Sequence, residues 1–202
     1  GVGREATREF SKLVGLDKTY EATFVLGASS DTDDRTGKIT PTDNRSSSLS
    51  ELLSSVSDLQ PFLKPFIGEI SQIPPAYSAV KIGGKKMYEA AREGKPLEAE
   101  PRQVTIYSLS EVQFIPSTSS GDKLNEVEGL HIHLKIHCSS GTYIRSIARD
   151  LGRSLGTGGY VESLRRSCIG PFSIAESSPL KTLERTSWQE HLLSIDSVLS
   201  RL

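Results

Sequence analysis

Alternating apolar and polar residues are clearest from Leu130 to Cys138. One set of alternate positions is apolar: Leu130, Ile132, Leu134, Ile136 and Cys138. The other set is polar: His131, His133, Lys135 and His137. A period of two predicts a strand with one buried face. Tyr20 to Leu26 alternates in the same way, and Gln103 to Phe114 is also strand-like, so both are predicted to be strands.

Helical periodicity follows the clearest strand directly. Beyond Gly141, a helix is predicted whose buried stripe is Ile144, Ile147, Ala148, Leu151 and Leu155. Ser48 is predicted to cap an earlier helix carrying Leu49, Leu52, Leu53, Val56 and Leu59. Pro61 should disturb that helix, and a second short helical stretch carries Phe62, Phe66 and Ile67. A short helix is predicted from Lys85 to Glu93, and a final one from about Ser187 carries Trp188, Leu192, Ile195 and Leu199.

The remaining segments have the composition of loops. Asp31 to Gly37, Ile73 to Gly84, Pro116 to Gly129 and Gly156 to Gly159 are rich in glycine, proline or short polar residues. Strands and helices are mixed without regular alternation. This favours an α+β fold, with a mixed, largely antiparallel sheet flanked by helices, over a doubly wound parallel sheet.

Composition narrows the class of protein. The 202 residues are 36% hydrophobic and 24% charged, as in ordinary globular proteins. No apolar run is long enough to span a bilayer, no secretory signal is visible, and the two cysteines suggest no disulfide framework. We therefore expect a cytoplasmic protein without a membrane partner.

The net charge of −1 argues weakly against a nucleic-acid partner, but its distribution is uneven. Lys81 to Lys95 holds five basic and two acidic residues, and so does Tyr143 to Arg166. Solvated helix faces explain these clusters as well as a polyanion partner does.

Two segments carry candidate chemistry. Gly141 to Arg145 is a strand-to-helix turn whose backbone N–H groups could bind an anion. Arg145 is disfavoured there by the helix dipole, which indicates a phosphate or carboxylate partner or, alternatively, a side chain that swings into solvent. Pro74 to Lys81 combines prolines and Tyr77 with a run of lysines that continues at Lys85 and Lys86. This suits stacking on RNA and phosphate contacts, and equally suits a proline-rich surface loop.

Metal sites are not predicted. His131 and His133 form an H-x-H pair without a third ligand at a convincing spacing, so a solvated strand face is favoured. Asp31, Asp33 and Asp34 lack the EF-hand spacing, which favours a polar turn.

Taken in order, these segments resemble the TruB family of tRNA pseudouridine synthases. The matching stretches are Gly3 to Thr7, Lys18 to Ala22, Leu26-Gly27 with Asp31 to Asp33, Gln72 to Lys81, Cys138 to Arg145, Asp150 to Gly152, Leu164 to Arg166, and Gly170 to Phe172. They run from Gly1 to about Phe172, and the Pro-Pro-Ala-Tyr-Ser-Ala-x-Lys and Gly-Thr-Tyr-Ile-Arg stretches together are highly specific.

The resemblance implies a reaction and a partner. Enzymes of this family convert the T-loop uridine of tRNA to pseudouridine, breaking the N-glycosidic bond, rotating the base and rejoining it through carbon 5. The target base must be flipped out of the folded T-arm stem-loop. The nucleophile is an aspartate. No metal or organic cofactor is needed, and a monomer is expected.

The resemblance also implies roles for individual residues. Tyr20 would stack on the flipped base, Arg145 would pair with the catalytic aspartate, and Leu164 would pack near the uracil. RNA contacts would come from Tyr77, Lys81, Lys85, Lys86, Tyr143, Arg149, Arg165 and Arg166. Residues from about 70 to 95 match the family's thumb insertion, which clamps the T-arm.

Two departures from the family pattern set further expectations. The Leu-Asp-Pro stretch that carries the nucleophile is absent from these 202 residues, and no PUA domain is visible. The expected domains are therefore an N-terminally incomplete catalytic domain, 1–185, and a C-terminal helix, 186–202. The chain alone is then expected to be inactive and poorly stable, with apolar surface exposed near residues 1–7 and opposite the Tyr20 strand, and with Arg145 lacking its carboxylate partner.

Three functional hypotheses remain at this stage. The first is a synthase of which this chain is the main part. The second is a non-catalytic RNA-binding or tRNA-folding protein on the same scaffold, which would bind RNA without turnover. The third is an unrelated α+β binding module, which would not bind a T-arm RNA.

Overall fold

A six-stranded antiparallel sheet is the centre of the computed structural model, which describes residues 9, 11–42, 49, 53–95, 97, 99–115, 129–179, 191 and 193–202. The strands are β1 (Lys18–Leu26), β2 (Ala28–Ser30), β3 (Ile39–Pro41), β4 (Gly68–Gln72), β5 (Lys81–Ile82), β6 (Lys85–Lys86), β7 (Arg102–Ile115), β8 (Leu130–Cys138), β9 (Gly159–Ile169) and β10 (Phe172–Ser173). The α-helices are α1 (Val56–Leu63), α2 (Met87–Arg92), α3 (Ile144–Ser154) and α4 (Ile195–Leu199). The sheet order is β10–β9–β1–β8–β7–β4, while β2–β3 and β5–β6 form two-stranded ribbons. The predicted α+β class with a largely antiparallel sheet is confirmed.

The core lies between one face of the sheet and α3. Phe24 of β1 and Leu134 of β8 are fully buried and pack in one cluster with Ile147 and Leu151 of α3. All five apolar residues of the predicted α3 stripe are buried, as the period of 3.6 requires. Burial of this stripe is the main source of stability for an 11-residue helix, which would be marginal alone.

β1 is the central strand of this sheet. It pairs with β8 from Lys18–Cys138 to Leu26–Leu130, and with β9 from Lys18–Ile169 to Leu26–Gly159. Both edges of β1 are hydrogen-bonded along Lys18–Leu26, but Leu164, which pairs with Ala22 from β9, is 46% exposed, so the expectation of exposed apolar surface opposite the Tyr20 strand stays a prediction. Residues 1–7, the other part of that expectation, lie outside the described residues.

Several strands were not predicted from the pattern of apolar and polar residues. β9 is the longest of them; its centre, from Ser163 to Arg166, is exposed on both sides and shows no apolar period. β4 has the period of two, but its innermost residue is Gln72 rather than an apolar side chain. β2 and β3 have three residues each, too few for a periodic signal.

The predicted helices differ from the structure at their ends. The helix predicted beyond Ser48 is interrupted: Ser55 is the N-cap of α1, whereas Ser48 and Leu52 lie outside the described residues. α1 continues through Pro61 because burial of Leu59 and Leu63 offsets the one hydrogen bond that proline cannot donate.

The two other predicted helices start late. Lys85 and Lys86 do not begin α2; they form β6, which pairs with β5 across Gly83-Gly84. The final helix is α4, which starts at Ile195 with an extended Ser194 as its N-cap, so the prediction of continuous helix through residues 193–194 is wrong. Trp188 and Leu192 lie outside the described residues, as does the predicted hairpin connection at 116–128.

Within the part of the chain that is described, no helix is both long and apolar enough to cross a membrane.

Candidate functional site

The site is built around the first turn of α3. Gly141 has a φ of +85°, which turns the chain from β8 into the helix. Thr142 donates its hydroxyl to the Ser139 carbonyl at 2.9 Å and closes the turn. Tyr143 is the extended N-cap, so Arg145 lies in the first turn, where the helix dipole disfavours a cation.

Arg145 offsets this disfavoured position by bonding to two separate loops. Its Nη1 donates to the Thr32 carbonyl at 3.1 Å and to Asp34 Oδ2 at 3.3 Å. Its Nη2 donates to the Tyr77 carbonyl at 3.0 Å. The expectation that Arg145 lacks a carboxylate partner is therefore wrong: Asp34 supplies one, and the side chain is still about a quarter exposed.

Arg149, one turn further along α3, is more fully engaged. It pairs with Asp33 at 3.1 Å and with both oxygens of Asp150 at 2.9 and 3.1 Å. It also donates to the Ile73 carbonyl at 3.0 Å. Four donor contacts to three partners hold this guanidinium against the protein.

The two neighbouring aspartates have opposite electrostatics. Burial raises the pKa of Asp33 above its ordinary value, and the Arg149 charge only partly opposes this. Burial also acts to raise the pKa of Asp34, but hydrogen bonds from the Thr36 side chain and backbone, the Arg145 charge and the Thr32 hydroxyl outweigh it, so that pKa is lowered. Asp34 is thus held ionised by its donors, whereas the charge on Asp33 depends on Arg149.

The 31–37 loop, which carries these aspartates, is fixed to β9. Val161 donates its backbone N–H to the Asp33 carbonyl at 3.0 Å, and Arg35 donates its backbone N–H to the Val161 carbonyl at 2.9 Å. Asp33 adopts a positive φ of 58°, an uncommon conformation for a non-glycine residue. Side-chain oxygens of Asp31, Thr32 and Ser30 lie within 2.4 Å of where a Cβ on Gly37 would be, so a larger residue there would displace these side chains.

The loop after β4 is held against α3 at its first residues. Gln72 exchanges two hydrogen bonds with the Tyr143 backbone, at 2.8 and 3.0 Å. Ser146, which is fully buried, donates its hydroxyl to the Ile73 carbonyl at 2.9 Å. Gln72, Ser146 and the two aspartates were not predicted as site residues. Gln72 and Ser146 are polar residues at inward positions of a strand and a helix, and Gln72 and Asp33 also lie in stretches that resemble the family, so these were the available signals.

The predicted RNA-binding lysines lie on a small hairpin. Gly83 and Gly84 both have positive φ and form its two-residue turn. Lys81 is exposed, whereas Lys85 pairs with Glu93, and Lys86 lies 3.9 Å from Glu89 and 3.2 Å from the Tyr88 hydroxyl. That hydroxyl is the main cause of the raised pKa of Lys86.

Tyr20 and Leu164 share a face of the sheet. In the β1–β9 pairing, Tyr20 lies opposite Arg166 and Ala22 opposite Leu164, so these side chains point to the same side as the core. Leu164 is nonetheless 46% exposed, because the core ends before it. Burial raises the pKa of Tyr20, with the Arg166 side chain opposing the shift.

The predicted residues thus form two groups rather than one contact network. Arg145, Arg149 and Tyr77 are joined through hydrogen bonds to the loops. Tyr20, Leu164 and Arg166 meet on β1 and β9, and among the described residues no hydrogen bond or ion pair links them to Arg145. Arg165 and Arg166 have no carboxylate within ion-pair distance among those same residues.

The described part of the chain contains no group of three or more histidine, cysteine or acidic side chains placed to bind a metal. The solvated-face interpretation of the histidines is wrong at His131, which is buried and lies 3.0 Å from Glu162. Its neighbour on the same face, His133, is half-buried.

Comparison with known proteins gives the same family over the whole chain. Residues 1–144 match the model described as TruB family pseudouridylate synthase (N terminal domain), and residues 145–202 match the tRNA pseudouridylate synthase B C-terminal domain. The protein named tRNA pseudouridine synthase B from Dechloromonas aromatica is 38% identical over 204 residues, covering 98% of this chain and 60% of the relative. Its namesake from Nitrosospira multiformis is 39% identical over 202 residues, with the same coverage. The chain therefore spans about 60% of the length of these curated relatives.

Solved structures share the fold. A chain in the crystal structure of a Cbf5-Nop10-Gar1 complex matches with a TM-score of 0.55 and 26% identity, over 94% of this chain and 42% of that chain. A chain in a structure of an H/ACA RNP bound to a substrate RNA containing 2'-deoxyuridine matches with a TM-score of 0.51 and 22% identity, over 95% of this chain and 41% of the other.

Proposed function

Because the chain belongs to the TruB family of pseudouridylate synthases, we propose that the protein isomerises a uridine in the T-loop of tRNA to pseudouridine. The substrate is the T-arm stem-loop, and the target base is flipped out to reach the site. The protein would act as a monomer in the cytoplasm and without a metal or organic cofactor. The proposed catalytic domain is 1–185, with residues 70–95 as the thumb that contacts RNA.

The geometry of Arg145 carries the proposal. A cation in the first turn of a helix is retained where it has anionic partners, and Arg145 is bonded to a carboxylate and two carbonyls while a quarter of its side chain is still exposed. A fixed, partly exposed guanidinium can orient a reacting carboxylate and stabilise its charge. We assign this role to Arg145, toward the family's nucleophilic aspartate.

Asp33 and Asp34 are not proposed as that nucleophile. Asp34 Oδ1 accepts hydrogen bonds from the Thr36 amide and hydroxyl and from Thr32, and Oδ2 accepts from Arg145. Asp33 pairs with Arg149 and is 9% exposed. Oxygens engaged in this way position arginines and are poorly available to attack a ribose carbon.

The part of the β1–β9 pair around Tyr20 and Leu164, where the core ends, is proposed to receive the base. Tyr20 would stack on the uracil, and Leu164 would contact it, which fits an apolar side chain left 46% exposed where the core ends. Tyr143 would support the wall of this pocket from the N-cap of α3.

The proposed RNA contacts differ in how free their charges are. Lys81, Arg165 and Arg166 are exposed and suited to phosphates. Lys85 and Lys86 have acidic neighbours, so RNA would have to compete for them. Arg149 is held by Asp33, Asp150 and Ile73, and we propose that it contributes to RNA binding mainly by fixing the loops, while Tyr77 presents its ring to the RNA.

The test is tritium release from tRNA transcribed with 5-tritiated uridine, because forming the bond through carbon 5 expels that hydrogen. The protein as its gene encodes it should release tritium from wild-type tRNA, and much less from a transcript with cytidine at the T-loop position. RNA binding without release would favour the non-catalytic RNA-binding alternative. Absence of binding would contradict both.

A further inference from the structure

Gln72 is a buried amide at the junction between the sheet and the helix that carries Arg145. It is the last residue of β4 and is 2% exposed. Its Oε1 accepts from the Tyr143 N–H at 2.8 Å, and its Nε2 donates to the Tyr143 carbonyl at 3.0 Å. A single side chain therefore holds both polar groups of the N-cap residue of α3.

The orientation of this amide is fixed by its partners. The Tyr143 N–H can only donate and the Tyr143 carbonyl can only accept, so a flipped amide would place donor against donor and acceptor against acceptor. Burying an amide is costly unless its hydrogen bonds are made, and here each end makes one. An apolar side chain at this position would leave the Tyr143 N–H without the acceptor that Gln72 supplies.

The segment that begins at Gln72 is tied to α3 at both ends. After Gln72, the Ile73 carbonyl accepts from Ser146 Oγ and from Arg149 Nη2. At the far end, the Tyr77 carbonyl accepts from Arg145 Nη2 at 3.0 Å. Any displacement of residues 72–77 is therefore passed directly to the first two turns of α3.

We propose that Gln72 is a positioning residue that couples docking of RNA on the loop after β4 to the orientation of Arg145. RNA bound to Tyr77 and Lys81 pulls on the 72–77 segment, and the Gln72–Tyr143 pair fixes the start of α3, so that the Arg145 guanidinium keeps its orientation toward the reacting carboxylate. This inference rests on the proposed function, because the orientation of Arg145 matters to the reaction.

The Gln72→Glu variant gives a test with a pH signature. A carboxylate can accept from the Tyr143 N–H but repels the Tyr143 carbonyl, whereas the protonated carboxyl can donate to that carbonyl and restore both bonds. Burial raises the pKa of the new carboxyl group above the ordinary value of about 4.3. The single-turnover rate at saturating tRNA, relative to wild type, should fall roughly 10- to 100-fold at pH 8 and recover as the pH is lowered toward 5.5.

Two controls separate positioning from folding. Gln103→Glu makes the same chemical change on the neighbouring strand at an exposed position and should leave the rate unchanged at every pH. Gln72→Met keeps the approximate size but loses both bonds, and should lower the rate with no recovery at low pH. For both Gln72 variants, the Kd for tRNA should stay within about threefold of wild type.

A rate ratio for Gln72→Glu that does not change with pH would overturn the inference. So would a lower yield of active molecules with an unchanged rate per active molecule, which is the result expected of a purely structural residue. Failure of the proposed function gives a different result: wild-type protein would release no tritium, while amide hydrogen exchange at Tyr143 to Arg145 would still be faster in Gln72→Met than in Gln103→Glu. Equal exchange in those two variants would contradict the coupling itself.

Discussion

At the scale of single residues, Arg145 has both the charge and the fixed position that orienting a carboxylate requires. Arg145→Lys keeps the charge but cannot reach Thr32, Asp34 and Tyr77 together, because an ammonium lacks the planar fork. We expect tritium release to fall roughly 100-fold or more. Arg153→Lys is the matched control: Arg153 is on the same helix, is 71% exposed and lies 3.6 Å from Asp150. A similar loss in both variants would contradict the role of Arg145.

Asp33 and Asp34 should respond to pH in opposite directions. The pKa of Asp34 is lowered from 3.8, so its contribution to stability is present above pH 3.8 and is lost as the pH falls through its folded pKa. The pKa of Asp33 is raised from 3.8, so its contribution is present below pH 3.8 and is lost as the pH rises through its folded pKa.

Urea unfolding at a series of pH values tests this contrast. Asp34→Asn should reduce the loss of unfolding free energy on acidification below pH 3.8. Asp33→Asn should instead remove the loss that accompanies deprotonation above pH 3.8. Parallel curves for the two variants would show that the two carboxyls do not differ as their contacts require.

At the scale of elements, α3 and the turn before β9 approach each other closely at Gly152. A Cβ on Gly152 would lie 2.1 to 2.3 Å from backbone atoms of Gly158 and Gly159, which cannot move like a side-chain end. Gly152→Ala should therefore lower the free energy of unfolding by about 3 kcal/mol, as overpacking does in a dense core. Gly15→Ala, which meets nothing within 4 Å, is the control and should leave the urea midpoint nearly unchanged.

The elements found from sequence are those with one buried face. β8 and α3 show a clean period because one side of each packs in the core, and β7 was predicted nearly to its ends. β9 was missed because its centre, around Leu164, is exposed where the base is proposed to bind. The surface proposed to receive the base therefore lacks the apolar period by which a strand is found in a sequence.

The candidate site was predictable only in part for the same kind of reason. Arg145, Tyr20 and Leu164 could be located through the resemblance to a family. Gln72, Asp33 and Asp34 act through partners 71 to 116 residues away in sequence, and local spacing cannot report such contacts.

At the scale of the whole molecule, the proposed RNA binding would have to come from the placement of charge, because the net charge is only −1. Lys81→Gln and Arg166→Gln should each reduce the slope of log Kd against log salt by roughly 0.7 to 0.9. Lys135→Gln is the control: Lys135 alternates with buried Leu134 and Ile136 on β8, so it points away from the core face, and it pairs with Glu111. An equal change in slope for all three would mean that RNA does not select one face of the sheet.

The position of β1 between β8 and β9 has a consequence for how the chain folds. Lys18 meets Cys138 and Thr19 meets Ser167 across sequence separations of 120 and 148 residues. β1 is synthesised before both of its neighbours and therefore waits for them until Ile169, the last residue of β9, has been made. Pairings this distant close slowly and leave apolar strands unprotected in the meantime. The sheet should form late and cooperatively, and Phe24, Val25 and Leu26 should be the residues that a nascent-chain chaperone shields first.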